Sequence, residues 1–224
     1  MVMKIKEIEY AISDKLVGYQ KSISIMERRV ERISSKKGSE LLWFLEHPAI
    51  YTAGTSSNEN DLIKKNILPV FKSTRGGEYT YHGPGQRIIY LMLNLRERNY
   101  DIRKFVQTLE NWIVDSLKDL GIESFLIKGK VGVWIKGNKI DEEEKIASIG
   151  LRVRKGVTFH GISLNIDPNL EHFNGIIACG NKGSKATSLK KLGLEVPIKK
   201  VDEVLLKNFN KNFKLNTKVT QIQS

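Results

Sequence analysis

Residues 130–166 constrain the fold of this chain more than any other stretch. Their sequence, KVGVWIKGNKIDEEEKIASIGLRVRKGVTFHGISLNI, reads as consecutive strands joined by short, glycine-containing turns. Strands joined by short turns pair antiparallel, whereas parallel strands need a long crossover. The segment therefore predicts an antiparallel meander.

Helical patterns lie on both sides of this meander. One helix is predicted over residues 13–37, where apolar residues recur at helical spacing, and a second over residues 101–121, between a capping aspartate and a glycine. A last amphipathic helix is predicted to begin near Val201, and further strands are predicted at residues 41–45 and 87–95. Helices that flank a mostly antiparallel sheet predict an α+β fold.

The composition limits the classes of function. The 224 residues carry a net charge of +12, which favours acidic partners. A generally lysine-rich, solvated surface explains the charge equally well. The cations are scattered and lack interleaved aromatic residues, so the charge does not indicate nucleic-acid binding.

The sequence also lacks the marks of membrane, secreted and metal-binding proteins. No apolar run approaches the ~18 residues that span a bilayer, and MVMKIKEIEY has no signal-peptide core. The single cysteine cannot form an internal disulfide, and the four histidines share no metal-ligand spacing. We expect one domain over residues 1–224, cytoplasmic and monomeric, without metal or membrane attachment.

Lys145 is a candidate catalytic base. If KIASIGLRV is one strand, Lys145 points the same way as Ala147, Ile149 and Leu151, towards the core. An ammonium pressed against apolar surface loses hydration, which favours its neutral form. The alternative is that the strand begins one residue later and that Lys145 is a solvated flank.

The glycine-rich stretch STRGGEYTYHGPGQ is a candidate binding loop. Its four glycines and one proline exclude a regular helix or a central strand, and glycine lets backbone amides approach a ligand closely. Arg75 and His82 supply polar groups on either side. The stretch lacks the phosphate-loop and dinucleotide-binding patterns, and a long hairpin explains it as well as a binding loop does.

Cys179 and His160 are the remaining candidates. A lone cysteine is usually a small hydrophobe, but Cys179 follows an apolar run and precedes glycines, a setting compatible with a nucleophile. His160 is predicted to share a strand face with Ile162, Leu164 and Ile166, which indicates a core histidine.

Several motifs in a fixed order resemble one known family. RGGEYTYHGPGQ, KIASIG, TFHGISLNI and ACG…TSL together resemble the octanoyltransferases of lipoate synthesis, and WFLEHPAIYTAG is similar to that family's LEHP…YT.G segment. These enzymes move an octanoyl group from acyl carrier protein to a lysine of a lipoyl domain. The resemblance covers about residues 41–189. It implies the fold of biotin and lipoate ligases, an α/β sandwich on a mixed, largely antiparallel sheet.

The resemblance also implies the site. A catalytic dyad falls on Cys179 and Lys145, and the acyl chain would pass through a cysteine thioester. Octanoyl-acyl carrier protein would be the donor. The acceptors would be lipoyl domains of 2-oxoacid dehydrogenases and the glycine cleavage H protein, and no cofactor is implied. The acyl-binding segments fall on Arg75, Gly76, Gly77, Glu78, Tyr79, Thr80, Tyr81, His82, Ser148, Ile149, Gly150, Gly161, Ile162 and Ser163.

Small residues and two departures from the family pattern refine this expectation. Ala147, Ser148 and the two glycines Gly150 and Gly161 would leave room for a straight eight-carbon chain. The family commonly has alanine where Ser163 stands, which predicts a more polar or narrower pocket. An acidic run, residues 141–144, precedes Lys145, and its Glu143 would favour the charged form of that lysine.

Two other functions compete with acyl transfer. An ATP-dependent lipoate or octanoate ligase on the same fold would use Lys145 to bind the activated acyl group and would not need Cys179. A non-catalytic module would bind nucleic acid through its basic surface, with steep salt dependence.

Overall fold

A computed structural model describes residues 8–98, 101–137, 139, 142–177 and 185–213. The helices are α1 (Tyr19–Ser34), α2 (Leu95–Arg98), α3 (Ile102–Asp119) and α4 (Ile198–Phe213). Short 3₁₀ turns lie at Glu59–Asp61 and Leu170–Gly175. The strands are β1 (Ile8–Ile12), β2 (Glu40–Leu45), β3 (Ile50–Ala53), β4 (Val70–Lys72), β5 (Tyr79–His82), β6 (Gln86–Met92), β7 (Phe125–Ile127), β8 (Lys130–Lys136), β9 (Glu143–Arg154), β10 (Val157–Asn165) and β11 (Lys185–Ala186).

Most of these strands form one mixed sheet. Within the described residues its order is β1-β2-β6-β10-β9-β8-β7, and β11 pairs with β9. The β1–β2 and β11–β9 pairs are parallel, and the other neighbours are antiparallel. The long strand β9 pairs with β10 from Ala147 onwards, and β11 lies beside its first residues, Glu144 and Lys145.

Helices cover both faces of this sheet. On one face, α3 and α4 bury Trp112, Phe209 and other large side chains against Leu42, Ile89 and Leu164. On the other face, α1 packs on the opposite side chains of the same strands, such as Trp43 and Tyr90. Alternate residues of a strand point to opposite faces, so these continuously apolar strands supply both cores.

A second, smaller sheet of order β4-β3-β5 carries the glycine-rich stretch. Strand β3 is parallel to β4 and antiparallel to β5. The buried tyrosines of this small sheet, Tyr51, Tyr79 and Tyr81, belong to a third apolar cluster. Phe173, in the 3₁₀ turn Leu170–Gly175, packs against this cluster. The small sheet thereby holds the loop over residues 73–78 against the main sheet.

The predicted meander is confirmed as strands β8, β9 and β10, and the predicted α+β class is confirmed. The helix predicted over residues 13–37 is shorter and begins at Tyr19. The segment before Tyr19 instead lies beside β2, because the Ser13 and Val17 amides donate to the carbonyls of Phe44 and Glu46. Helix α4 begins at Ile198, before the expected start near Val201. No helix among the described residues is long and apolar enough to cross a membrane.

Candidate active site

Nearly all the predicted binding residues line one cavity on the α1 face of the main sheet. This cavity, here called the loop cavity, has a volume of about 60 Å³. Of the predicted residues, Tyr81 alone is missing from its lining. The lining residues are Tyr19, Arg75, Gly76, Gly77, Glu78, Tyr79, Thr80, His82, Ile88, Tyr90, Ser148, Ile149, Gly150, His160, Gly161, Ile162 and Ser163.

Arg75 shapes the roof of the loop cavity. Its side chain is buried and donates to the Thr52 carbonyl and hydroxyl and to the carbonyls of Gly76 and Glu78. The Gly76 amide donates to the Leu151 carbonyl at 2.9 Å, which ties the loop to β9. The five N–H donors of a buried guanidinium need hydrogen-bond acceptors, because an unpaired buried donor is costly. Arg75 therefore folds the loop over the sheet, in addition to lining the cavity.

Two glycines of the main sheet lie beneath this roof and allow close contacts around the cavity. A Cβ at Gly161 would lie 1.9 Å from the Ile89 carbonyl oxygen, so no larger residue fits there. A Cβ at Gly150 would lie 3.0 Å from the Cδ of Arg75. Glycine at these positions lets the neighbouring strand and the arginine stem approach the sheet closely.

Tyr81 belongs to the other side of the small sheet. It is buried, and its ring packs on His172 and Phe173 with centroid distances of 5.0 and 5.3 Å. Alternation along β5 points its neighbours Thr80 and His82 into the loop cavity instead. Its place in the family's binding segment is therefore explained by packing of the loop rather than by lining the cavity.

Buried histidines and tyrosines surround one end of the loop cavity. His47 lies between the Val17 carbonyl oxygen, 2.6 Å from its Nδ1, and the Tyr90 hydroxyl, 2.7 Å from its Nε2. Desolvation lowers the pKa of His47 to about 4, of His160 to about 3, and that of His82 well below its usual value. Burial raises the pKa of Tyr90. These histidines are neutral at physiological pH, so they make this end of the cavity polar without adding charge to it.

The predicted face of His160 is wrong. His160 has a φ of 67°, inside β10, which breaks the alternation of side chains. Its ring packs on Tyr90, in the α1-side core, whereas Ile162 and Leu164 belong to the α3-side core. The histidine is buried as expected, but it lines the loop cavity.

The predicted face of Lys145 is wrong for a related reason. The β8–β9 register shifts between the Val133–Ala147 and Trp134–Lys145 pairs, so one step on β8 spans two residues of β9. This bulge places Ile146 and Ala147 in the same core cluster. Lys145 therefore points to the opposite face, and Ala147 does not line the loop cavity. The alternative of a solvated flank is also wrong, because β9 begins at Glu143 and Lys145 is 9% exposed.

Lys145 is held by the strands around it. Its ammonium lies 4.5 Å from the centre of the Trp134 ring and donates to the Val131 carbonyl oxygen at 3.0 Å. The Thr187 amide, just after β11, donates to the carbonyl of Lys145. An aromatic face and a carbonyl oxygen both stabilise a cation while it is shielded from water.

Lys145 lines a second cavity, here called the lysine cavity, of about 320 Å³. Ser148 lines both cavities, so the two meet at this residue. The other residues of the lysine cavity are Asn165, Leu170, Glu171, Phe173, Asn174, Lys185, Ala186 and Lys191. The cavity of the buried lysine and the narrow loop cavity are thus neighbours on either side of Ser148.

The acidic run before Lys145 is paired with other lysines. Glu142 pairs with Lys185, and Glu143 pairs with Lys130 at 2.8 Å. Glu144, which is buried, pairs with Lys191 at 2.7 Å. Each of these three carboxylates has a cation within contact distance, and the pairs with Lys185 and Lys191 stabilise the rim of the lysine cavity.

Hydrogen bonds join the two cavities to β11, a feature that the sequence patterns did not indicate. His82 contacts the Gln86 Oε1 at 2.7 Å, and the Gln86 amide donates to the Asn165 Oδ1 at 2.8 Å. The Asn165 amide donates in turn to the carbonyl of Thr187. The motifs HGPGQ and SLN supply these polar residues, so their function includes fixing the chain beside Lys145.

Glu78 is the one predicted binding residue that carries a negative charge. Its Oε2 is buried and has no hydrogen-bond partner among the described residues. Desolvation raises the pKa of Glu78, while the charge of Lys145 acts in the opposite direction. The carboxylate therefore lies within electrostatic reach of the lysine.

Cys179 lies outside the described residues. Before it, the last described residue is Ile177, whose amide donates to the Asp61 carbonyl. After it, the description begins again at β11, beside Lys145. Among the described residues, no three His, Cys, Asp or Glu side chains group as metal ligands.

Comparisons with known proteins identify the family. The model of the lipoyl protein ligase A/B catalytic domain matches residues 18–210. The octanoyltransferase of Wolbachia sp. subsp. Brugia malayi is 47% identical over 207 residues, which are 92% of this chain and all of that protein. The octanoyltransferase of Bartonella bacilliformis is 46% identical over 213 residues, which are 92% of this chain and 88% of that protein.

The chain belongs to the octanoyltransferase family. This assignment confirms the predicted family and the predicted class of enzyme, an acyltransferase.

Solved structures confirm the predicted fold of this octanoyltransferase family member. A bi-partite lipoate protein ligase from Thermoplasma acidophilum has a TM-score of 0.70 at 16% identity, over 99% of this chain and 89% of that one. Lipoate-protein ligase A bound with ATP has a TM-score of 0.67 at 17% identity, over 99% and 90%. Because these identities are low, the structures show the shared fold alone, and the ligase alternative draws less support than the transferase.

Proposed function

We propose that the protein transfers an octanoyl group from octanoyl-acyl carrier protein to a lysine of lipoyl domains, through a thioester on Cys179. The joined cavities carry this proposal. A narrow cavity under the glycine-rich loop meets the cavity of a buried lysine at Ser148. This arrangement suits an acyl chain whose reactive end lies beside Lys145.

In the first step, Lys145 in its neutral form takes the thiol proton of Cys179. The thiolate attacks the carbonyl carbon of the donor thioester, and the bond between that carbon and the carrier's sulfur breaks. The Lys145 ammonium then returns the proton to the departing thiolate of the carrier. One thioester replaces another, so this exchange is nearly balanced and needs no ATP.

In the second step, the acceptor lysine attacks the octanoyl-cysteine as a neutral amine. The new carbon–nitrogen bond forms, the bond to the Cys179 sulfur breaks, and Lys145 passes the amine's proton to that sulfur. An amide is more stable than a thioester, so this step supplies the thermodynamic drive of the whole reaction.

The surroundings of Lys145 suit a group that gains and loses a proton in each step. The Trp134 ring and the Val131 carbonyl stabilise the ammonium that forms when Lys145 accepts a proton. Because the side chain is buried, these two contacts replace water around the charge.

The loop cavity would hold the alkyl chain. Burial of each CH₂ contributes about 0.8 kcal/mol, so the eight-carbon chain itself supplies much of the affinity. The residues proposed to bind it are residues 75–80 and His82 of the glycine-rich loop and the two strand segments 148–150 and 161–163. Ser163, which stands where the family commonly has alanine, adds a hydroxyl to the wall.

The partners and the place of action follow from the same proposal. The donor is acyl carrier protein, and the acceptors are lipoyl domains of 2-oxoacid dehydrogenases and of the glycine cleavage H protein. The protein would act in the cytoplasm as a monomer of one catalytic domain over residues 1–224. Acyl carrier proteins are acidic, so the net charge of +12 would speed their encounter.

A transfer assay without nucleotide tests the function. The protein, octanoyl-acyl carrier protein and an apo lipoyl domain are mixed without ATP, and the acceptor is followed by mass. Octanoylation under these conditions supports the transferase. Octanoylation only with ATP and free octanoate would make the protein a ligase. No transfer in either mixture, with salt-sensitive binding to duplex DNA, would support the binding module.

A further inference from the structure

We propose that His160 sets the length of the acyl chain by closing the far end of the loop cavity. The proposal rests on the octanoyl transfer described above and concerns a residue that its chemistry does not use. His160 would act through contact with the end of the chain, as a residue that determines specificity.

The strand register gives the loop cavity a direction. Ser148 pairs with Ser163 at the opening that is shared with the lysine cavity. Further along, Gly150 pairs with Gly161, and the next pair is Leu151 with His160. His160 therefore lies at the end away from Lys145, three residues beyond Ser148 along β9.

This distance corresponds to an acyl chain of medium length. A strand rises about 3.3 Å per residue, so the His160 level lies roughly 10 Å beyond Ser148. An extended eight-carbon chain is of about this length. Its carbonyl would lie at the opening near Lys145, and its methyl end would reach the imidazole.

The backbone of His160 places its ring across the cavity. With a φ of 67°, the residue leaves the strand alternation, and its side chain turns to the α1 face. There its ring meets Phe159 at 4.5 Å and Tyr90 at 6.1 Å between centroids. Its Nε2 lies 3.4 Å from the Thr74 hydroxyl. A residue with ordinary strand geometry would have pointed into the opposite core.

Behind this wall lies a second open space. A groove of about 90 Å³ is lined by Thr74, Phe159 and Ser73, among other residues. Ser73 accepts a hydrogen bond of 2.8 Å from Tyr19, which lines the loop cavity. The contacts Thr74–His160 and Tyr19–Ser73 thus join residues of the cavity to residues of the groove, and the proposal assigns the His160 ring to the barrier between the two spaces.

The chemistry of His160 suits an end wall. The residue is 2% exposed, and burial lowers its pKa to about 3, so the imidazole stays neutral. A neutral ring can contact a terminal methyl group without the cost of desolvating a charge. A longer chain would have to displace the ring and break its contact with Thr74.

The test measures acyl-chain preference with carrier proteins loaded with 8, 10, 12 or 14 carbons, a series that extends one chain by pairs of methylenes. For wild type, we expect kcat/KM with the dodecanoyl donor to be at least about tenfold lower than with the octanoyl donor. A single extra methylene in a tight pocket typically lowers kcat/KM by about this factor. In His160→Gly, the glycine tolerates the positive φ and the ring is absent. We expect this variant to transfer octanoyl groups still, and its kcat/KM with dodecanoyl to be at most about twofold lower than with octanoyl. His160→Asn, which also tolerates positive φ, is expected to admit decanoyl and still exclude tetradecanoyl.

The control variant is Arg152→Ala, because Arg152 lines the groove on its exposed side and leaves the wall intact. Its chain preference should equal that of wild type. An unchanged ratio of dodecanoyl to octanoyl rates in folded His160→Gly would overturn the proposal. If that variant does not fold, an unchanged preference in His160→Asn would overturn it. Wild type that transfers no acyl group at all would contradict the proposed function instead.

Discussion

At the scale of single residues, two lysines beside one tryptophan differ in their surroundings. The ammonium groups of Lys145 and Lys130 lie 4.5 and 5.6 Å from the centre of the Trp134 ring. Lys145 is buried, whereas the Lys130 side chain is 42% exposed and paired with Glu143. The two positions share an aromatic contact but not a cavity.

Lys145→Met should abolish most of the transfer. General acid–base catalysis typically contributes 10²–10⁴-fold, and we expect kcat to fall by about this factor. Lys130→Met is the matched control and should leave kcat nearly unchanged. The measurement is steady-state transfer from octanoyl-acyl carrier protein, with circular dichroism to verify folding. A folded Lys145→Met variant with wild-type kcat would remove Lys145 from the mechanism.

Two glycines of the loop cavity differ in what surrounds them. A Cβ at Gly161 would lie 1.9 Å from the backbone oxygen of Ile89, whereas at Gly76 the nearest atom, the Leu151 oxygen, is 3.4 Å away. Gly161→Ala should lower the free energy of unfolding by about 1–3 kcal/mol or more, since strands β6 and β10 would have to separate. Gly76→Ala should change it by no more than about 0.5 kcal/mol. Urea unfolding measures both, and equal effects would contradict the tight packing at Gly161.

At the scale of elements, the site depends on irregularities that the sequence pattern does not reveal. Alternation correctly predicted strands β9 and β10, but it assigned Lys145 and His160 to the wrong faces. A bulge at Ile146 and a positive φ at His160 turn these two side chains to the α1 face. A period-two pattern carries no information about either irregularity.

Helix α4 is fastened to the main sheet by a buried ion pair. The Nε of Arg87 on β6 donates to the Oδ1 of Asp202 at 2.8 Å, and both side chains are below 5% exposure. Burial raises the pKa of Asp202, although Arg87 opposes this shift. A buried pair needs only one residue on each element, so it leaves no recognisable motif in the sequence.

Asp202→Ala should destabilise the protein strongly. It leaves the Arg87 guanidinium buried without its partner, which typically costs about 3–5 kcal/mol. Glu203→Ala, which breaks the exposed pair with Lys200, is the control and should cost at most about 0.5 kcal/mol. The free energy of unfolding is measured in urea. A loss for Asp202→Ala no larger than that of the control would show that the pair does not fasten α4.

At the scale of the whole molecule, the three buried histidines link stability to pH. The pKa of His47 is lowered to about 4 and that of His160 to about 3, and burial also lowers the pKa of His82. Folded-state pKa values below the usual value of about 6.5 mean that the unfolded chain binds more protons in acid. Stability from these groups is therefore complete above pH ~6.5 and is lost as the pH falls towards the folded pKa values.

Acid should therefore destabilise the protein with a steep slope. Each extra proton that the unfolded chain binds lowers the free energy of unfolding by about 1.4 kcal/mol per pH unit, so this free energy should fall steeply below pH ~6.5. The measurement is the free energy of unfolding in urea between pH 4.5 and 8. His160→Asn should make the slope shallower by roughly one proton's share, about 1.4 kcal/mol per pH unit. A slope that this variant does not change would show that His160 is not the buried neutral group described.

The sequence predicted which residues line the site better than it predicted the contacts that hold them in place. The motif residues at 75–80, 148–150 and 161–163 do line one cavity. The separation of Tyr81 from that cavity, and the hydrogen bonds of Arg75 to Thr52, depend on how the small sheet packs on the main one. Such long-range contacts are set by packing between elements distant in sequence, so spacing within a motif cannot reveal them.

The measurement that tests the central claim most directly is the intact mass of the protein after incubation with octanoyl-acyl carrier protein, without acceptor or ATP. We predict a gain of one octanoyl group, removable by hydroxylamine and absent in Cys179→Ala, because the thioester on Cys179 precedes acceptor binding. The contradicting result is an unmodified protein that octanoylates a lipoyl domain only when ATP and free octanoate are supplied. Cys179 would then have no part in the chemistry, and the joined cavities would belong to a ligase.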